Sequence, residues 1–260
     1  SAIFFGGGPG YLTTTQSLDG SAWTTEGALA TGVASLPTGP MTASSSNAFK
    51  VGGAISPGNT ASVEEFNKSI NTVTAAAWAA GGNLNTPRDE AASAQQGTQD
   101  AALYFGGYDG SGNNESEEYN GTAWTEGLNL LTARWSLGGA GIQTAALAFG
   151  GSSPDCESYD GTTWTEANNL NTTRAQMTGI GLQGAALCAG GQTTPSGLGN
   201  VEEFNGTSWS EETNLTTARY GFGAAGTQTA GVVFGGVESP PTKTNVTEEY
   251  NGASWAAGGA

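Results

Sequence analysis

The chain has 260 residues, 43 of them glycine, two cysteines, no histidine and a formal net charge of −16. Its length suits one domain, and its acidity disfavours nucleic acid and anionic membranes as partners, since both require a basic surface. Without histidine, zinc-hydrolase and Ser-His-Asp chemistry are excluded, and no apolar run approaches the roughly 18 residues of a spanning helix.

From the N-terminus onward, one phrase recurs six times. An apolar run closes on a glycine pair at Gly6-Gly7, Gly52-Gly53, Gly106-Gly107, Gly150-Gly151, Gly190-Gly191 and Gly235-Gly236. One tryptophan follows each pair: Trp23, Trp78, Trp124, Trp164, Trp209 and Trp255. All four arginines, Arg88, Arg134, Arg174 and Arg219, stand ten residues after one of these tryptophans. Self-similarity at this period marks a repeat array.

The fourth copy shows the unit most clearly. Residues 136–142 are small and glycine-rich, with a turn expected at Gly141-Ile142-Gln143. The apolar run Ala145 to Phe149, ended by glycine, reads as a buried strand. Glu157 to Tyr159 is a third strand, Asp160-Gly161 a two-residue hairpin signal, and Trp164 begins a fourth strand. The hairpin signal repeats as Asp19-Gly20, Asn120-Gly121, Asn205-Gly206 and Asn251-Gly252. The first copy lacks the glutamate before its aromatic position, and the second carries a seven-residue insertion between Phe66 and Trp78.

Four antiparallel strands in each unit of 40–50 residues is the pattern of a β-propeller blade. The double glycine after an apolar strand, the Glu-x-aromatic-Asn/Asp-Gly phrase and the following tryptophan together resemble the kelch repeat, and the likeness spans nearly the whole chain. The expected fold is all-β: a single domain over residues 1–260, a six-bladed β-propeller of four-stranded kelch-like blades. One blade lacks its inner strand within the chain, because Ser1 to Phe5 already lies in a Gly-Gly strand. Residues outside the chain are expected to supply that strand, as part of a longer chain or larger assembly. The resemblance extends to copper oxidases of the galactose oxidase type, whose histidine ligands this chain cannot provide. No cofactor or metal site is expected.

The carboxylate doublets Glu64-Glu65, Glu117-Glu118, Glu202-Glu203 and Glu248-Glu249 sit at one repeat position, whereas an active site needs an asymmetric pair. The first acid shares a strand face with the aromatic two residues on. Copy one lacks both this acid and the arginine. The expected structural pairs are therefore Arg88 with Glu64, Arg134 with Glu117, Arg174 with Glu157, and Arg219 with Glu202, leaving Glu248 alone. The repeat tryptophans are read as packing positions, and Cys156 and Cys188 as unpaired core residues. The seven Asn-x-Ser/Thr sequons include by-products of the repeat phrases.

Binding residues are sought where the repeat is irregular. Naming the strands of a unit a to d from the inside outward, the a–b and c–d turns are short. The b–c loops, with d–a connections on the same face, vary in length and content. Trp135 and Tyr220 occupy one register position that holds Asp89 and Ala175 in other copies. Tyr108, Asp109, Asn113, Trp135 and Tyr220 are the candidate binding residues. Asp109 to Glu115 resembles the start of a calcium loop but lacks its central glycine and distant glutamate, so a solvated loop is expected.

The functional expectation is a non-enzymatic recognition or structural module binding a protein or glycan through this loop face. The texture of the repeats, poor in lysine and free of histidine, resembles kelch-like repeats of phage and environmental bacteria. It implies an extracellular or virion-surface place in a tail, fibre or appendage. A secreted glycan-binding lectin and a carboxylate-based glycan hydrolase or lyase are the alternatives.

Overall fold

The computed structural model describes residues 2–5, 13, 15–18, 23–25, 28–30, 47–51, 58, 63–67, 77–194, 196–238 and 242–258. Among them every regular element is a strand, and the strands form small antiparallel sheets in chain order. The first sheet joins β1 (Ala2–Phe5), β2 (Thr15–Leu18) and β3 (Trp23–Thr25); the second joins β4 (Asn47–Val51), β5 (Val63–Asn67) and β6 (Ala77–Ala80). The inner strand expected for the second unit falls within residues 31–46, outside the described residues.

Four sheets then have four strands each. The third comprises β7 (Ala92–Ser93), β8 (Ala102–Phe105), β9 (Ser116–Tyr119) and β10 (Trp124–Glu126). The fourth comprises β11 (Gly138–Ile142), β12 (Ala145–Phe149), β13 (Cys156–Tyr159) and β14 (Trp164–Ala167). In the fifth, β15 (Thr178–Leu182) and β16 (Ala185–Ala189) lead through a small ribbon, β17 (Gln192–Thr193) with β18 (Ser196–Gly197), to β19 (Val201–Phe204) and β20 (Trp209–Glu212). A second ribbon, of β21 (Arg219–Tyr220), β24 (Val237–Glu238) and β25 (Thr242–Lys243), flanks the sixth sheet. That sheet contains β22 (Gly223–Thr227), β23 (Ala230–Phe234), β26 (Thr247–Tyr250) and β27 (Trp255–Ala257).

Local chemistry fixes the hairpins. The β11–β12 ladder continues to the Ile142–Ala145 pair, so its turn is Gln143-Thr144, one to two residues past the expected centre at Ile142. Gly141 makes this register accessible: its φ is 101°, a left-handed value disfavoured for a side chain. At the c–d turns, the Oδ1 atoms of Asn120, Asp160, Asn205 and Asn251 each accept the amides two and three residues on. Asparagine and aspartate are interchangeable there because each supplies the same oxygen.

Among the described residues, three apolar clusters join the third to the fourth, the fourth to the fifth and the fifth to the sixth sheet. Phe105 and Leu103 pack with Ala146, Tyr159 and Trp164, while Phe149 and Leu147 pack with Met177, Phe204 and Trp209. The rings of Phe105 and Trp164 meet edge-on at 4.9 Å, and those of Phe149 and Trp209 at 5.0 Å. These sheets therefore support one another through shared cores, as in stacked repeats. The inner strands come closest. A Cβ at Gly179 would collide with Gly139 O, and one at Gly139 with Ser93 O, which explains the glycine-rich a strands.

Glutamines stitch the a–b turns to the preceding sheet. Gln143 Nε2 donates to Ala102 O (3.0 Å) and Tyr119 O (2.7 Å). Gln183 reaches Ala146 O and Tyr159 O, and Gln228 reaches Ala186 O and Phe204 O, in the same way. In the third sheet, Gln96 Nε2 donates to Gly226 O of the sixth at 2.8 Å, across 130 residues of sequence. The sheets therefore curve enough for the inner turns of the third and sixth to touch.

Candidate functional site

The buried charges come first, because their roles decide what remains for binding or catalysis. Each arginine meets a glutamate, shifted by one repeat from expectation. Arg88 Nη1 lies 2.6 Å from Glu117, Arg134 Nη2 2.7 Å from Glu157, Arg174 Nη2 2.9 Å from Glu202, and Arg219 Nη2 2.6 Å from Glu248. Pairing with Glu64, Glu117, Glu157 and Glu202 respectively is thus corrected, and Glu248 is not alone. The physical reason is the path of the chain. After its outer strand it crosses toward the inner strand of the next sheet, so ten residues past the tryptophan it already lies over that sheet. Glu64 lies in β5, and its side chain is outside the described residues.

Each glutamate takes further bonds. Glu157 also accepts the amides of Leu131 and Thr132, Glu202 those of Asn171 and Thr172, and Glu248 those of Thr216 and Thr217. Arg134 Nη1 donates to Gly150 O and Asp155 O, and Arg219 Nη1 to Gly235 O and Val246 O. The guanidinium thus ties the Gly-Gly corner to the connection that enters the sheet. Burial pulls the Arg134 guanidinium below its ordinary value, and Glu157 pulls the other way. These carboxylates are buried, paired and repeated, an arrangement that serves packing.

The second acids Glu118 and Glu203 face the following sheet. Tyr159 Oη donates to Glu118 at 2.5 Å and Tyr250 Oη to Glu203 at 3.1 Å. Burial is the largest cause raising the Tyr159 and Tyr250 phenols above their ordinary value, and these carboxylates add to it. At the intervening junction the acid is replaced by Ser158 and the tyrosine by Phe204, so donor and acceptor are lost together. The same co-substitution occurs as Ser17 with Phe66, and the full pair as Glu65 with Tyr119. Sequence reading assigned no role to the second acid, although this alternation was visible in it.

On the b–c loop side, the structure brings two of the candidate residues together. Tyr108 and Trp135 are 39 % and 40 % exposed, with ring centroids 5.7 Å apart at 56°. Trp135 lies against the backbone of the loop preceding it in the sequence: a Cβ at Gly112 would stand 2.9 Å from its Cε3. Tyr220 repeats this one junction pair later, with Cδ1 3.3 Å from a Cβ placed at Gly197. The register carries Ala175 where the preceding loop, Gly150 to Tyr159, is the shortest of the described units.

Asp109 and Asn113 organise that loop. Asp109 accepts from Ser111 N and Asn113 Nδ2, and Asn113 Oδ1 accepts from Glu115 N at 2.6 Å. Asn113 is buried, which corrects its reading as a ligand-facing residue; Asp109 stays exposed. No metal-holding group of carboxylates, cysteines or histidines occurs among the described residues. Beside the inner strands, Glu90, Ser136 and Gln176 adopt left-handed φ values of 51°, 53° and 54°. Their backbones link successive units: Ser136 N donates to Glu90 O, Gln176 N to Ser136 O and Gly221 N to Gln176 O. Left-handed non-glycine residues cost roughly 1–3 kcal/mol each, so these inter-unit bonds hold a conformation the residues would not adopt alone.

The repeat tryptophans 124, 164, 209 and 255 are at most 6 % exposed, as packing positions should be. The thiols of Cys156 and Cys188 are buried and unpaired; burial pushes them up to about 12 and about 11. Neither a protein-family model nor a curated protein matches the chain.

Proposed function

We propose that the chain is a non-enzymatic recognition module built as a six-bladed, kelch-like β-propeller, which binds a protein or glycan through its b–c/d–a loop face. The observation that carries the reading is the exposed Tyr108–Trp135 pair, formed by side chains that depart from the repeat and held on a rigid scaffold. Exposed aromatics in a polar surround supply contact area at small entropic cost and recur as binding anchors. The contact between the third and sixth sheets through Gln96 and Gly226 supports a ring, because those units face each other across the axis of a six-membered ring. The non-enzymatic reading rests on the repeat-bound state of the paired acids. Display outside a cell or on a virus particle remains the setting proposed from the texture of the repeats.

The test is capture of glycans on an array, and of surface proteins from candidate host cells, by wild type and by Tyr108→Ala and Trp135→Ala variants. Binding lost in both variants, with unchanged thermal unfolding, supports the reading. Binding that is indifferent to both places the site elsewhere.

A further inference from the structure

The Glu–Tyr contact between successive sheets is missing at one fully described junction, and a cavity lies there. Between the fourth and fifth sheets, Ser158 stands where Glu118 and Glu203 stand at the flanking junctions, and Phe204 where Tyr159 and Tyr250 stand. Ser158 and Phe204 line a cavity of about 530 Å3, within the roughly 300–1,000 Å3 of small-molecule sites. Shortening the acid and deleting the phenol oxygen removes the atoms that bridge the neighbouring junctions, and the space is left open.

We propose that this groove binds a neutral polyhydroxylated ligand of the size of one pyranose ring. Its lining is mostly polar. Gln183 Nε2 donates to Ser158 Oγ at 3.0 Å, leaving the serine proton to donate outward. Asn168 Nδ2 is held by Thr207 O at 2.8 Å, leaving Asn168 Oδ1 as an acceptor at the rim. Glu166, exposed on β14 and without a cationic partner among the described residues, adds two strong acceptors. Phe204, buried against Trp209, forms the floor of the groove where a phenol oxygen stands at the flanking junctions.

The lining also excludes other classes. It contains no arginine, lysine or histidine, so nothing answers a phosphate or sulfate, and the chain's charge of −16 repels both. One carboxylate is too few for a divalent cation, which needs six or more oxygen ligands. A neutral ring with alternating donors and acceptors is the class that the groove satisfies.

The wild-type repeat supplies its own control. The S158E/F204Y double variant installs the pair found at the flanking junctions and fills the groove without removing a core side chain. Saturation-transfer NMR and titration would use glucose, galactose, mannose, N-acetylglucosamine and glucosamine as probes. The expected result is binding of at least one neutral sugar, weakened about tenfold or more in both S158E/F204Y and Glu166→Ala, and unchanged in Glu126→Ala, which removes the exposed acid at the same register of the third sheet. Thermal unfolding reports whether each variant is folded. The proposal is overturned if no neutral sugar binds, if binding survives in both groove variants, or if only glucosamine binds, since its ammonium needs Glu166 alone. Equal loss of binding in Glu126→Ala would show a general effect of surface charge and overturn it too.

Discussion

Glu202→Gln tests the register of the charge network most sharply. The Glu202 carboxylate takes three bonds, from Arg174 Nη2 (2.9 Å), Asn171 N (2.7 Å) and Thr172 N (3.2 Å), and both charged side chains are fully buried. Neutralising it leaves Arg174 charged without a counterion, a change that costs about 3–5 kcal/mol when one partner of a buried pair is removed. Arg174→Met costs less than that upper bound, because both turn amides still hold the remaining carboxylate. In the double variant neither charge is left stranded, so the losses do not add; the expected coupling is about 2–3 kcal/mol. Glu157, which repeat counting assigns to Arg174, instead binds Arg134. Arg174→Met combined with Glu157→Gln should therefore add to within about 0.5 kcal/mol. Urea unfolding of the six proteins, the wild type, three singles and two doubles, measures both terms. Strong coupling of Arg174 to Glu157, or none to Glu202, would refute the shifted register.

Further outcomes follow from other contacts. Tyr250→Phe removes the bond to Glu203 and should cost about 1 kcal/mol, whereas Phe204→Tyr alone should gain little, since Ser158 is too short to accept; chemical denaturation compares them. Trp164→Ala, cutting a buried ring that packs on Phe105 and Tyr159, should cost about 3–5 kcal/mol, while Trp135→Ala should leave stability within about 0.5 kcal/mol. The Cys156 and Cys188 thiols, raised from 9.0 to about 12 and about 11 by burial, should resist thiol reagents at pH 8 until the chain unfolds. The sign of the linkage follows. Below 9.0 both thiols are protonated folded and unfolded. Above it the unfolded chain loses protons the folded chain keeps, so their contribution is lost as pH rises toward 11 and 12. Stability measured across that interval should fall less steeply in a Cys156→Ala/Cys188→Ala variant.

The strand order within each unit was legible because turn chemistry and apolar runs are local signals. Gly150-Gly151, Asp160-Gly161 and Trp164 mark their strand ends without reference to any distant residue. The arginine–glutamate partnership was legible as chemistry but not as register. Repeat counting fixes which residue types recur, and only the crossing of the d–a connection decides which sheet Arg134 lies over. The glutamine stitches passed unread, because Gln143, Gln183 and Gln228 bond to backbone carbonyls, which carry no side-chain signature. Asn113 looked like a ligand donor for the complementary reason: its type suits a ligand, but its neighbours in the loop had already claimed it.

The ring is the claim on which the proposed function stands, and a distance between the inner turns of the third and sixth sheets tests it. Gln96 of one sheet touches Gly226 of the other at 2.8 Å, whereas three steps along a straight stack of sheets about 10 Å apart would separate them by roughly 30 Å. Spin labels at Thr98 and Thr227, exposed on those two turns, report the separation by pulsed electron paramagnetic resonance. The ring predicts one narrow distribution well below the straight-stack value. A distribution centred near or beyond that value would contradict it.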